Sequence, residues 1–208
     1  MQLAKQAATS PGESAGSAAR VTPGEIRVPG ESGFWILILG DLTAFALMFC
    51  VFIYYRGHDV GLYLDSQLRL NRAFGALNVV LLLTSSWCVV QGVEAFRERI
   101  TQRARRCFGA GFLLGAGFVV VKVLEYGDKV REGIAASTNE FFMFFYVLTG
   151  IHLLHLVIGL GVLAWMRAKS RSEWSTHRDV ALAECGGVYW HMVDLLWVAL
   201  FALLYLLR

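Results

Sequence analysis

Five long apolar runs separated by short charged connections restrict the fold of this chain more than any other feature of its sequence. A helix needs roughly 20 consecutive, mostly apolar residues to cross a hydrocarbon core about 30 Å thick. Lipid offers no partner for backbone N–H and C=O groups, so runs of this kind cross as helices. The sequence therefore predicts an all-α membrane protein, a bundle of five transmembrane helices. The runs cover residues 33–55, 74–93, 107–126, 141–166 and 185–207.

The composition of the 208-residue chain agrees with one membrane domain, at residues 29–208. Apolar residues make up 56% of the chain and charged residues 17%, whereas soluble domains are about a quarter charged. Residues 1–28 are rich in Ala, Ser, Gly and Thr and lack the apolar core of a signal peptide, so we expect a disordered cytoplasmic tail there. The net charge of +3 is small and dispersed, which makes nucleic acid an unexpected partner.

The distribution of Lys and Arg predicts the orientation of the helices, because basic residues in short loops resist translocation across the membrane. The tail and the connections after the second and fourth runs carry twelve of these residues, and the other side carries six. The N-terminus is therefore predicted to be cytoplasmic and the C-terminus external. All three prolines precede the first run and no internal repeat is evident, so a transporter built from inverted repeats gains no support.

The four cysteines form no C-x-x-C pair and have no spacing to histidine that suggests a zinc site. We expect them to be small buried apolar side chains. They are Cys50, Cys88, Cys107 and Cys185.

Ionisable side chains inside apolar runs are costly in lipid, so each one is a functional candidate. Asp41 is the only charged residue of the first run. It either exchanges protons or stays protonated and joins two helices by a hydrogen bond, and both interpretations remain open. The other candidates are Lys122, Glu125, His152, His155, Glu184, His191 and Asp194.

Helical spacing divides these seven candidates into three groups. Lys122 and Glu125 are three residues apart, close enough for an ion pair that is more often structural than functional. Two histidines on one face of the fourth run, and a Glu, a His and an Asp along one side of the fifth, raise the hypothesis of a metal or heme site. Hydrogen-bonded structural histidines explain the same pattern, and the Glu-x-x-His motif of di-iron carboxylate bundles is absent.

Three motifs resemble those of one known family and occur in its order. Residues 189–197, Y-W-H-M-V-D-L-L-W, resemble the Y-W-H-F-V-D-V-V-W signature of subunit III of heme-copper cytochrome oxidases. Residues 149–159, T-G-I-H-L-L-H-L-V-I-G, look like that family's T-G-x-H-G-x-H-V-x-x-G, and L-E-Y at 124–126 looks like its S-E-Y element. The resemblance covers about residues 30–208, and the five-span length is similar to that of bacterial members.

The start of the membrane domain narrows the resemblance to a branch of the family. Residues 28–35, V-P-G-E-S-G-F-W, resemble the NorE-type branch, the subunit III homologues associated with bacterial nitric oxide reductases. The five-span subunit III of quinol oxidases is similar in architecture. Two positions depart from the family pattern: Leu153 replaces a small residue between the two histidines, and Asp41 stands where Glu is common.

The resemblance implies a non-catalytic subunit of the bacterial inner membrane that binds no heme, copper or other redox metal itself. Its implied partners are phospholipids and the catalytic subunit I of a heme-copper oxidase or nitric oxide reductase, which holds heme with copper or non-heme iron. Such a subunit stabilises the catalytic chain and supports proton uptake. Asp41 matches the family's carbodiimide-reactive membrane carboxylate. The residues that match the family's intramembrane polar network are His152, His155, Glu184, His191 and Asp194.

Two other functions remain open on the residues alone. The same buried acids and histidines would suit a proton-linked transporter or an independent membrane enzyme. His152, His155 and His191 would suit a b-type heme protein. An optical spectrum of the isolated chain separates the heme protein from the other interpretations.

Overall fold

A computed structural model describes residues 32–171 and 177–207 of the chain. Within these ranges the structure consists of six α-helices and a final π-helical turn, with no strand. Five of the helices are long and apolar enough to cross a membrane, which confirms the predicted bundle of five spans. The predicted tail at residues 1–28 lies outside the described residues. The elements are α1 (Ser32–His58), α2 (Val60–Leu68), α3 (Arg72–Arg97), α4 (Thr101–Arg131), α5 (Glu140–Lys169), α6 (His177–Phe201) and the π-helical turn (Ala202–Leu206).

All five long helices begin before their predicted apolar runs, and all but α6 also end after them, because a helix need not end where the hydrocarbon ends. Asparagine side chains cap two of their starts. Oδ1 of Asn71 accepts a hydrogen bond of 3.0 Å from the N–H of Ala73 in α3, and Oδ1 of Asn139 accepts one of 2.9 Å from Phe142 in α5. Each cap satisfies an N–H group that the first helical turn leaves free.

Hydrophobic periodicity does not indicate α2, the nine-residue helix between the first two spans. Its buried side carries Tyr63, Ser66 and Gln67. A short helix that buries Ser and Gln shows no apolar stripe, so the pattern typical of an amphipathic helix is missing.

Side chains of α1 and α2 donate hydrogen bonds to the π-helical turn at the end of α6 and to the residue that follows it. Nε2 of Gln67 in α2 donates to the carbonyl oxygen of Leu203 at 3.3 Å, and Nη2 of Arg56 in α1 donates to that of Leu207 at 3.2 Å. The last carbonyl groups of a helix lack partners within it. The connection between the first two spans therefore caps the end of the last one.

Helices α3, α4, α5 and α6 form the main bundle, in which α3 packs against α4 and α6, and α5 packs against the same two helices. Helix α1 lies at its edge, in contact with α2, α5 and α6. Glycines permit the closest approach: Trp190 of α6 lies so near α4 and α5 that a Cβ at Gly115 or Gly159 would be 2.7 or 2.8 Å from its indole. These two glycines act as small-residue contacts between helices.

The outer surface of the bundle is rich in large apolar side chains, with α1 presenting many of them. The prediction of buried cysteines is wrong, since Cys50 is exposed and the other three are half-buried. A helix surface that faces lipid accommodates an apolar thiol without enclosing it in protein. All four thiols are free.

Candidate functional site

Asp41 of α1 and His155 of α5 meet at the edge of the bundle. Nε2 of His155 lies 3.5 Å from Oδ2 of Asp41. Nδ1 of the same ring lies 2.9 Å from the carbonyl oxygen of Ile151, which can only accept, so Nδ1 carries a hydrogen. A hydrogen between Nε2 and Oδ2 then requires either a charged imidazole or a protonated carboxyl. The two side chains are close enough to form an ion pair when the imidazole is protonated.

Three helices hold this pair, yet it faces outward. The side chains of Asp41 and His155 are 31% and 18% exposed. The ring of Phe45 meets the imidazole edge-on, with centroids 5.6 Å apart, and the hydroxyl of Tyr189 in α6 donates to the carbonyl oxygen of His155 at 3.1 Å. An ionisable pair at this depth is costly in lipid unless another group covers it.

Lys122 and Glu125 of α4 form a buried ion pair, and Tyr205 of the π-helical turn joins it. Nζ of Lys122 donates to Oε2 of Glu125 at 2.7 Å and to the hydroxyl of Tyr205 at 3.1 Å. That hydroxyl donates to Oε1 of Glu125 at 2.6 Å, which closes a ring of three hydrogen bonds. Each of the three residues is 1% exposed. We call them the buried triad.

Aromatic rings surround the ammonium group of the buried triad. Nζ of Lys122 lies 4.5 Å from the ring centroid of Trp197, 5.1 Å from that of Phe145, and 5.9 and 5.6 Å from those of Tyr126 and Tyr205. The faces of such rings attract a cation. Sequence reasoning missed Tyr205, because a tyrosine near the end of a span is common at membrane interfaces and carries no sign of its partner.

His152 of α5 faces the interior of the bundle, whereas His155 faces α1. The His152 ring packs against Phe118 and Trp197, with centroids 5.6 and 5.3 Å away. It is fully buried, and neither ring nitrogen has a hydrogen-bond partner among the described residues. Although three residues apart, the two histidines occupy different environments.

The three polar candidates of α6 face α3 at different heights. Oγ of Ser86 lies 2.5 Å from Nδ1 of His191. Ser86 also faces the carboxyl of Asp194, whose two buried oxygens have no well-formed hydrogen bond within the described residues. Glu184 accepts from Arg97 at the end of α3, with Oε1 2.5 Å from Nη2. Seven residues separate Glu184 from His191, about 10 Å along the helix, so Glu184 belongs to a separate ion pair.

Among the described residues the candidate side chains lie at separate places in the bundle. Across residues 32–171 and 177–207, no group of three His, Cys, Asp or Glu side chains is placed to hold a metal ion. Of the histidines in the heme hypothesis, His155 pairs with Asp41, His191 with Ser86, and His152 packs between rings. What these groups can do chemically is hold a proton and join helices.

Comparison with known proteins identifies a family whose model matches most of the chain. The model of the family described as "Cytochrome c oxidase subunit III" matches residues 69–208, a range that contains every polar candidate except Asp41. A cytochrome c oxidase subunit 3 of Thermostichus vulcanus is 31% identical over 180 residues, which cover 84% of this chain and 86% of that protein. A probable cytochrome c oxidase subunit 3 of Nocardia farcinica is 29% identical over 176 residues, covering 85% and 87% of the two chains.

A relative from a quinol-linked complex has similar coverage. A cytochrome bo(3) ubiquinol oxidase subunit 3 of Pseudomonas aeruginosa is 26% identical over 178 residues, which cover 84% of this chain and 83% of that protein. Together with the five apolar helices, these matches indicate a multi-pass membrane protein. The chain belongs to the cytochrome c oxidase subunit III family.

Proposed function

We propose that this chain is a non-catalytic accessory subunit of a heme-copper respiratory complex in the bacterial inner membrane. Its membership of the subunit III family carries the proposal, and the relatives bear the names of cytochrome c and ubiquinol oxidase subunits. The partner would be a catalytic subunit I that holds the heme and metal and receives electrons from cytochrome c or quinol. This chain would bind no redox metal, would stabilise that partner, and would hold phospholipids against its helices.

A contribution to proton uptake is proposed for Asp41 and His155. Asp41 lies about 14 Å from the start of α1, in the cytoplasmic half of the helix if the N-terminus is cytoplasmic. The two groups lie within ion-pair distance and face outward, so a chain packed on this edge could exchange a proton with them. Such a partner would also cover the two groups that are costly to leave in lipid.

The branch of the family is a separate proposal. The segment V-P-G-E-S-G-F-W at 28–35 supports a complex of the nitric-oxide-reductase-associated, NorE-type branch. The alternative is an oxygen-reducing oxidase, the kind of complex named for the relatives above. The catalytic subunit that accompanies the chain separates the two, because one branch predicts a nitric oxide reductase and the other an oxidase.

Purification of the complex from its native membrane tests the assignment. We expect a tagged form of this chain to retain a heme-copper subunit I, identified by mass spectrometry, and the purified complex to show a heme spectrum. The isolated chain should show no Soret band. Purification without any such subunit would contradict the accessory role, and a Soret band that stays with the isolated chain would favour a heme protein instead.

A further inference from the structure

A polar pocket opens at the end of the bundle where α2 leads into α3 and where α4 ends. Its volume is about 180 Å³. Glu125 belongs both to the wall of this pocket and to the buried triad, so this residue lies between the interior of the bundle and the opening. The remaining lining residues are Arg69, Leu70, Asn71, Phe74, Asp128, Lys129 and Glu132.

The carboxyl of Glu125 can accept further hydrogen bonds beyond those of the triad. Lys122 occupies one site on Oε2 and Tyr205 one site on Oε1. Each carboxylate oxygen can accept two hydrogen bonds, so one site on each oxygen is unused by the triad. Water in the pocket would supply the donors, because the pocket is large enough for several water molecules.

Charged groups of both signs surround this carboxyl. Arg69, in the segment between α2 and α3, lines the pocket together with Asp128 and Lys129 of α4 and with Glu132, which directly follows α4. Lys129 pairs with Glu132 at 2.7 Å, and Asp128 lies 3.8 Å from Arg131. The titratable groups outside the triad that interact with it from within the bundle are Tyr126, Tyr146 and His152.

We propose that Glu125 exchanges protons with the aqueous phase through this pocket, as a second proton-exchanging carboxylate in the opposite half of the membrane domain from Asp41. A hydronium ion from the pocket would give its proton to an unused site on the carboxylate and leave as water. This proposal does not depend on the oxidase partner.

A water-soluble carbodiimide tests access to Glu125 in the assembled protein. The protonated carboxyl adds to the reagent and forms an O-acylisourea, and a neutral amine nearby then displaces a urea to form an amide. The protein loses one water molecule, which the reagent takes up. Lys122 lies 2.7 Å from Glu125, so we expect an internal amide between them, detected by mass spectrometry as a peptide lighter by one water.

The Lys129–Glu132 pair, at the end of the same helix, provides a matched reference. It has the same spacing and the same 2.7 Å distance, but the Glu132 side chain is 52% exposed. Reagent is added until this reference pair is linked. Linkage of Lys122 to Glu125 under those conditions supports the proposal, and a Glu125 that stays unmodified while Glu132 reacts would overturn it.

The variant Lys122→Arg shows whether the proton comes from water. Arginine keeps the positive charge but does not release a proton in proteins, so it can neither protonate Glu125 nor form the amide. We expect Glu125 of this variant to carry an N-acylurea adduct whose yield rises as the pH falls. Absence of the adduct at every pH, with Glu132 modified in the same sample, would show that water does not protonate Glu125.

Discussion

At the scale of single residues, the contact between Asp41 and His155 brings together two ionisable side chains from different helices. Because Nδ1 of His155 donates to a backbone carbonyl, Nε2 is the ring nitrogen that faces Asp41, and an ion pair forms there only when the imidazole is protonated. Asparagine has the same size as aspartate and can still donate to Nε2, but it cannot release a proton.

We therefore expect Asp41→Asn to leave the assembly of the complex nearly intact and to slow proton-coupled turnover or hasten its decay. Steady-state and long-term activity of the purified complex measure this effect. Thr43→Val is the matched control, since Thr43 is on the same helix and its hydroxyl donates only to the carbonyl oxygen of Leu39. Activity of Asp41→Asn equal to that of this control would argue against a proton role.

A second prediction at this scale concerns the hydroxyl of Tyr205. Tyr205→Phe removes one partner each from Lys122 and Glu125 while the aromatic ring stays. Leaving buried charged groups short of a hydrogen bond costs about 1–3 kcal/mol, so the thermal unfolding temperature in detergent should fall. Tyr54→Phe, at a position 65% exposed, should leave it unchanged. Equal unfolding temperatures in the two variants would contradict the role given to the hydroxyl.

At the scale of helices, the packing of α6 depends on two kinds of contact. Polar side chains meet α3, and the indole of Trp190 fits against backbone that has no Cβ on α4 and α5. Both kinds of contact require a single rotational orientation of α6, since rotating the helix about its axis would move all of these groups away from their partners.

The polar contact predicts that Asp194→Leu and His191→Leu lower the yield of assembled complex. The change at His191 leaves the Ser86 hydroxyl without its partner, and the change at Asp194 puts a bulkier apolar side chain where a buried carboxyl packs. Leu195→Ala lies on the exposed side of the same helix and serves as control. The measurement is the amount of complex recovered per membrane protein, and normal recovery of both variants would disprove the prediction.

Two glycines of α5 allow the close contact with Trp190 to be tested by comparing two substitutions in one helix. A Cβ at Gly159 would lie 2.8 Å from the Trp190 ring, whereas one at Gly161 would meet nothing within 4 Å. We expect Gly159→Ala to destabilise the protein by roughly 1–3 kcal/mol, because the indole or the helix must move. Gly161→Ala should be neutral or slightly stabilising. Thermal unfolding of the two variants measures the difference, and a larger loss at Gly161 would refute this account of the packing.

At the scale of the whole molecule, the direction in which the bundle crosses the membrane decides which side each site faces. The excess of Lys and Arg on the side of the N-terminal tail indicates a cytoplasmic tail. We therefore expect alkaline phosphatase fused after Arg208 to be active, since that enzyme folds only outside the cytoplasm, and the same enzyme fused between α3 and α4 to be inactive. The reverse pattern of activity would invert the assignment of both proton sites.

Sequence reasoning predicts those features of this molecule that depend on residues close together in the chain. Five spans follow from apolar length alone, and the Lys122–Glu125 contact follows from a spacing of three residues within one helix. Contacts between helices do not follow in this way. Tyr205 reaches Glu125 only because the last helix widens into a π-helical turn, and His152 and His155 diverge because different helices lie beside them.

The position of α1 at the edge of the bundle has a consequence for synthesis. Its contacts with α5 and α6 join the first span to the last two, so α1 enters the membrane before the helices that receive it exist. At ribosomal rates of about 5–20 residues per second, Asp41 waits on the order of ten seconds before His155 is made. Until then the Asp41 carboxyl has no partner from α5. The translocation machinery or another subunit would have to cover α1 while the chain is incomplete.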